Sequence, residues 1–276
     1  MIEQSVSVGT PLLVTPAQKP RVCVGVPVYG PQDSIWWNQF AQHMAELHNS
    51  VEVVDIVVAG SMATDHNRNI IVDEFLKKDA EWLFWIDADT VVPIGALQRL
   101  LSSGRTLVSG LYFGKNPPHP PIAYYIYNGG YTPIDKQRHW EKGELIPVDA
   151  TGMGCILTHR SVFEDIRNNF SVWQVDGGGI ITLHKDDILG EIKDGEHHEH
   201  DGKAYRGQWR RRLMKCTIEG LKFPYFAMEL LRTEDIKFFE MARRVGHKPW
   251  LDSSIECSHL RTDPFSGESY RELNGH

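Results

Sequence analysis

Residues 82–86, WLFWI, are five bulky apolar residues in a row. They predict a buried strand, and Asp87, Ala88 and Asp89 follow it directly before the chain can turn at Pro93. Upstream, residues 21–28, RVCVGVPV, predict a first strand with Tyr29, Gly30 and Pro31 as its exit turn. Trp36, Trp37, Phe40, Met44 and Leu47 then fall at helical spacing behind Asp33 or Ser34 as cap, one apolar stripe that reads as core. Residues 52–58 return to a strand, so the first sixty residues are βαβ. Ile70, Ile71, Phe75 and Leu76 predict a second helix, capped by Asp65 and carrying Arg68 and Asn69 in its first turns. Residues 77–81 end it and lead into the 82–86 strand.

The second half is less regular. A short helix over 94–101 and a strand over 106–112 precede FGKNPPHPP at 113–121, whose prolines predict a stiff excursion outside any sheet. Strands follow at 123–127 and 145–148, separated by a polar loop at 128–143. In DATGMGCILTHR, residues 149–160, Gly152 and Gly154 either bring bare backbone near a sugar or phosphate or form a bend packed on the sheet. A helix starts at Arg160. Residues 176–222 have the composition of a flexible polar insertion; His197, His198 and His200 in it match no specific metal spacing, and Arg206, Arg210, Arg211 and Arg212 suit an anion or solvent equally. Thr233 is placed to cap a helix running to Val245, with Glu234 and Asp235 in its first turn. These two either serve the helix field or place Asp235 to accept a proton. Strand-like runs at 248–251 and 255–260 end the organised chain, and His259 alternates with Cys257.

Composition narrows this picture. A chain of 276 residues with 41% hydrophobic and 24% charged positions can bury a full core, and a formal charge of -7 argues against a nonspecific polyanion binder. Cys23, Cys155, Cys216 and Cys257 form no C-x-x-C unit, and the first and last sit in strand-like contexts, which favours free thiols in a reducing compartment. Residues 1–20 form a polar arm without the features of a secretory leader, and no run of 18 apolar residues occurs. A location in the cytoplasm or on the cytoplasmic face of a membrane is expected. The first strand lacks G-x-G-x-x-G, which weakens a dehydrogenase reading.

Taken in order, VPVYG (26–30), TDHNRN (64–69), WLFWIDAD (82–89), ATGMGCIL (150–157), TED (233–235) and HL (259–260) resemble the inverting, family-2-like nucleotide-sugar glycosyltransferases of the GT-A fold. The likeness spans about residues 21–260. It implies a Rossmann-like mixed central sheet with flanking helices and a long polar insertion. The implied organisation is one catalytic domain over 21–265, with a nucleotide-binding half (21–112), an acceptor-side half (113–265) and a tail (266–276). The same resemblance implies that Asp89, aided by Asp87, holds Mn²⁺ or Mg²⁺ against the donor diphosphate and that His259 is a further ligand. Asp87 alternatively contacts ribose or reaches the metal through water. Pro27, Val28, Tyr29, Gly30 and Asp65 would flank the nucleotide, Ala88 and Gly152 would line the donor, and Arg68 would organise the phosphate side or Asp87. Asp235 would be the base, with Glu234 binding an acceptor hydroxyl or orienting it.

A nucleotide-diphosphate sugar, UDP-linked by slight preference, is the implied donor. The acceptor stays open among glycan, glycolipid, protein, small molecule and modified nucleic acid. A retaining transferase, a nucleotidyltransferase and a noncatalytic sugar-nucleotide-binding domain are the alternatives. VPVYGPQD lacks the glycine- and basic-rich loop that a nucleotidyltransferase needs for a triphosphate.

Overall fold

A computed structural model describes residues 18–30, 32–60, 63–175, 180–188, 197–204, 207–215, 223–228 and 233–260. The arm up to residue 17, Arg206, Cys216 and the tail from residue 261 lie outside these. β1 (Arg21–Val28), α1 (Ser34–Ser50), β2 (Glu52–Gly60), α2 (Thr64–Leu76) and β3 (Trp82–Ile86) give the expected alternation. Asp33 caps α1, its carboxylate accepting the Ile35 N–H at 2.7 Å. The buried stripe of α1 includes Trp36, His43 and Leu47, with Phe40 partly buried beside them, whereas Trp37 is 51% exposed. Positions 36, 40, 43 and 47 share one helical face, and residue 37 is turned some 100° from it, against the edges of Trp36 and Phe40. Asp65 is not the cap of α2: Ala63 holds that position, and the Asp65 carboxylate accepts the adjacent His66 N–H at 2.8 Å inside the first turn.

β4 (Thr90–Val91), α3 (Ala96–Ser102), β5 (Leu107–Leu111), β6 (Ala123–Tyr127), β7 (Gly130–Pro133), β8 (Leu145–Pro147), β9 (Ala150–Thr151) and β10 (Cys155–His159) follow. The chain continues through α4 (Arg160–Asn169), β11 (Phe170–Val175), β12 (Ile180–His184), β13 (His197–Ala204), β14 (Gly207–Lys215), α5 (Glu234–Arg244), β15 (Trp250–Glu256) and β16 (Ser258–His259). The central sheet has the order β2-β1-β3-β10-β5-β15-β8. β1 is parallel to β2 and β3, β10 runs antiparallel between β3 and β5, and β15 is parallel to β5. This mixed seven-stranded sheet with flanking helices is a GT-A-like arrangement.

β3 is buried on both faces, as an unbroken apolar run requires. Leu83 and Trp85 join Ile71 and Phe75 of α2, Phe163 of α4 and Phe238 of α5 on one side. Phe84 and Ile86 join Trp36 and Leu47 of α1 and Leu97 of α3 on the other. Each such side chain contributes on the order of 2 kcal/mol by its burial.

Two expectations are corrected. The span 128–143 is not a plain loop: β6 and β7 form a hairpin whose two-residue turn, Asn128-Gly129, has both residues at positive φ, 50° and 78°. That is the conformation Asn-Gly supplies most readily. The span 176–222 is not simply a polar insertion either, since its described parts join β11 in a four-stranded antiparallel sheet ordered β12-β11-β14-β13. His197, His198 and His200 lie on β13, in register with Met214, Leu213 and Arg211 of β14. Among the described residues the cysteines Cys23, Cys155 and Cys257 are buried free thiols. No helix among them is long and apolar enough to cross a membrane.

Candidate active site

β3 delivers Asp87 to the end of the sheet, and its backbone is fixed from two directions. Its N–H donates to Gly154 O at 3.1 Å, and its carbonyl accepts from Trp36 Nε1 at 3.1 Å. The side chain is held by Arg68 of α2, whose Nη1 and Nη2 donate to Oδ1 and Oδ2 at 3.0 and 3.1 Å, a two-point clamp. The Arg68 side chain is only 4% exposed, and its guanidinium lies 5.8 Å from the Trp85 ring and 5.9 Å from Phe226.

The Nε of Arg68 faces α5. Asp235 Oδ1 lies 3.5 Å away and Glu234 Oε1 3.9 Å away, and both Arg68 Nε and Asp235 Oδ1 are buried without a hydrogen-bond partner. One guanidinium thus serves three carboxylates. Burial pulls Arg68 down, but Asp87 and Asp235 more than reverse this and keep it charged. Burial pushes the Asp235 carboxyl up to about 7, Arg68 opposing and Glu234 and Asp87 reinforcing the rise. The expected Thr233 cap residue is in place, but its side chain makes no cap hydrogen bond. Asn69, one residue beyond Arg68, fixes the neighbouring chain. Its amide donates to Phe226 O at 2.7 Å and accepts from Phe226 N at 3.0 Å, and the Phe226 ring stacks on Phe238 of α5.

Asp89 stands in a second, more open setting. β16 pairs with β4, placing His259 opposite Thr90, and Leu260 N donates to Asp89 O at 2.7 Å. His259 is buried, and its Nδ1 lies 2.7 Å from Phe113 O. A carbonyl only accepts, so Nδ1 carries the proton and Nε2 keeps its lone pair. Burial also lowers the affinity of this ring for a second proton. The Asp89 carboxylate forms an ion pair with Lys115, both side chains being nearly half exposed, at 45% and 42%.

Gly152 and Gly154 belong to the packing beneath these groups. A Cβ on Gly152 would come within 1.8 Å of the Tyr112 hydroxyl oxygen, and one on Gly154 within 2.7 Å of Thr90 Oγ1. The Tyr112 hydroxyl in turn accepts the Gly154 N–H at 3.0 Å. The backbone approach that requires glycine at 152 is therefore to Tyr112. Of the other expected positions, Pro27 and Val28 finish β1 and Ala88 is buried between the two aspartates. Tyr29 is partly exposed, and Gly30, at φ +70°, is open on the side a Cβ would occupy.

The residues expected to hold a cation divide. Both oxygens of Asp87 are engaged by Arg68, so a cation reaching Asp87 would share those oxygens with the guanidinium. Asp89 and His259 offer a carboxylate oxygen and an imidazole nitrogen from paired strands, donors that suit Mn²⁺ or Mg²⁺ completed by phosphate and water. Among the described residues no group of three His, Cys, Asp or Glu side chains is arranged around one point for a metal. Sequence reasoning missed Lys115, Tyr112 and Phe226. Lys115 is the one Lys or Arg of FGKNPPHPP, a signal present in the chain, but nothing local ties it to Asp89.

Among solved structures, A197 from STIV is similar over 90% of this chain and 91% of its own, with a TM-score of 0.50 and 17% identity, which supports the fold alone. A structure described as a glycosyltransferase involved in the glycosylation of the major capsid of PBCV-1 overlaps 52% of this chain and 62% of its own at a TM-score of 0.29 and 14% identity. That second likeness is too low to carry an argument. Neither a scan of family profiles nor a search of curated proteins gives a match.

Proposed function

We propose that the chain is a glycosyltransferase that moves a sugar from a nucleotide-diphosphate donor to an acceptor hydroxyl, with inversion at the anomeric carbon. The observation that carries this reading is Asp235. Its carboxyl is driven to about 7, and it faces Arg68 across 3.5 Å, the same guanidinium that clamps Asp87 at the end of β3. A carboxylate titrating near neutrality is matched to general-base work.

In this reading Asp235 accepts the proton of the acceptor hydroxyl as that oxygen attacks. Glu234, also at the start of α5, hydrogen-bonds the acceptor or orients Asp235. Arg68 holds Asp87 and keeps the charge of the three carboxylates from scattering them. Tyr29, Gly30 and Asp65 flank the nucleotide at the mouth of β1. Asp89 and His259 hold Mn²⁺ or Mg²⁺, an ion that when bound offsets negative charge on the nucleoside diphosphate.

The test is binding and turnover with UDP-, GDP-, CMP- and dTDP-sugars, in Mn²⁺, in Mg²⁺ and in chelator, for the wild type and Asp235→Asn. The expected result is donor binding by both proteins and sugar release or transfer by the wild type alone. A folded wild type that binds none of these donors would sink the reading.

A further inference from the structure

We propose that Lys115 is a mobile counter-ion of the donor site: it neutralises Asp89 while the site is free of ligand and passes to the donor diphosphate when cation and nucleotide enter. The inference rests on the transferase reading above and adds a residue to it.

The excursion that bears Lys115 is pinned on both sides of it. Gly114 N donates to Pro120 O at 2.8 Å, His119 N to Asn116 O at 2.9 Å, and His119 Nδ1 lies 2.8 Å from Gly114 O. Phe113 pairs with Pro121 across the base of the excursion, and the Phe113 carbonyl receives His259 Nδ1. One short segment thus orients the imidazole and delivers an ammonium to Asp89. The backbone is fixed, while the lysine stem keeps its four rotatable bonds, so the charge can move without the loop moving.

The electrostatics favour exchange. A Lys–Asp pair this exposed is weak, because water screens it and both side chains give up freedom to form it, so little is lost when it opens. A dication at Asp89 and an ammonium on the same carboxylate repel even with water-like screening, by enough to weaken cation binding roughly tenfold or more. An incoming cation therefore displaces Lys115, and a diphosphate beside it offers the ammonium new oxygens. Cation alone should bind weakly and cation with nucleotide strongly, because the diphosphate gives the displaced lysine a partner.

The experiment is calorimetric titration of the full chain with Mn²⁺ alone, and with UDP, GDP and dTDP in the presence of Mn²⁺, for the wild type, Lys115→Met, Lys115→Arg and Asp89→Asn. Lys115→Met should bind Mn²⁺ alone roughly tenfold more tightly and the preferred nucleotide roughly tenfold more weakly. Lys115→Arg should resemble the wild type, and Asp89→Asn should lose most Mn²⁺ binding. Mn²⁺-dependent nucleotide binding by the wild type that Lys115→Met leaves unchanged overturns the role of Lys115 and leaves the transferase reading standing. Absence of nucleotide binding by the wild type overturns both. Because Lys115 is exposed, thermal melting of Lys115→Met should match the wild type and exclude misfolding as the cause.

Discussion

Asp87 and Asp89 are separated by the single residue Ala88 and meet opposite electrostatic conditions. Asp87 is gripped at both oxygens by Arg68, a side chain 4% exposed between two aromatic rings. Asp89 is paired with Lys115 where both side chains are nearly half in water. The same Asp–cation chemistry therefore has two uses. A buried pair becomes an uncompensated charge if one member leaves, so it stays fixed; an exposed pair can be traded for another partner at little cost. The sheet end has a rigid half, which holds Asp235 in the field of Arg68, and an open half at Asp89, the one that the proposed exchange would use.

The harshest way to break this contrast is Arg68→Met, which leaves Asp87, Glu234 and Asp235 without their shared cation. Unfolding in denaturant should show a loss of about 3–5 kcal/mol, and a loss under about 1 kcal/mol would mean that Arg68 is no fixed element. Next is Asp235→Asn, expected to lower transfer about 10²–10⁴-fold while donor affinity holds. Unimpaired transfer would remove Asp235 as the base.

The same residue gives a signed pH prediction. Its folded value, about 7, lies above the ordinary 3.8, so the native state holds this proton more tightly than the unfolded chain. Its stabilising contribution is complete below the ordinary value and is lost as pH rises through about 7. Denaturation curves from pH 4 to 8 should show that decline in the wild type and a flatter profile in Asp235→Asn, while wild-type turnover rises across the same range.

Asp89→Asn should reduce Mn²⁺ affinity roughly 10–100-fold, read by calorimetry. An unchanged affinity would place the cation elsewhere. The smallest effect belongs to Lys115→Met on stability, which should change by under about 1 kcal/mol in the same denaturant assay. A larger loss would make Lys115 a structural residue and erase the contrast.

Much of the rigid half was legible in the chain because its signals are local. The run at 82–86, the helical spacing before Leu76 and the position of Glu234 and Asp235 at a helix start all survive in the structure. Trp37 and Asp65 failed at the scale of one or two residues: Trp37 lies one position off the buried phase, and the α2 cap lies two positions before Asp65, at Ala63. The Asn128-Gly129 turn was a local signal passed over inside a polar stretch. In the open half Asp89 and His259 stood out through the family resemblance, but the contacts that set their surroundings were not legible, for a different reason. Lys115 meets Asp89 across 26 residues, and His259 meets Phe113 across 146. No periodicity records such meetings, which follow from the order of strands. The fate of Gly152 depends in the same way on Tyr112 arriving from β5's end.

The antiparallel placement of β10 between β3 and β5 bears on how the protein can be divided. A fragment ending at residue 112 contains β1 to β5 yet lacks β10, the strand that joins β3 to β5. β3 and β5 would face each other across a gap about 10 Å wide, two strand spacings, each with a row of unpaired amides and carbonyls. Trp85 would lose Phe226, and Arg68 would keep Asp87 but lose α5. β1 to β3 and the strands β5, β15 and β8 are two flanks of one sheet joined through β10, so a cut at residue 112 breaks the sheet itself.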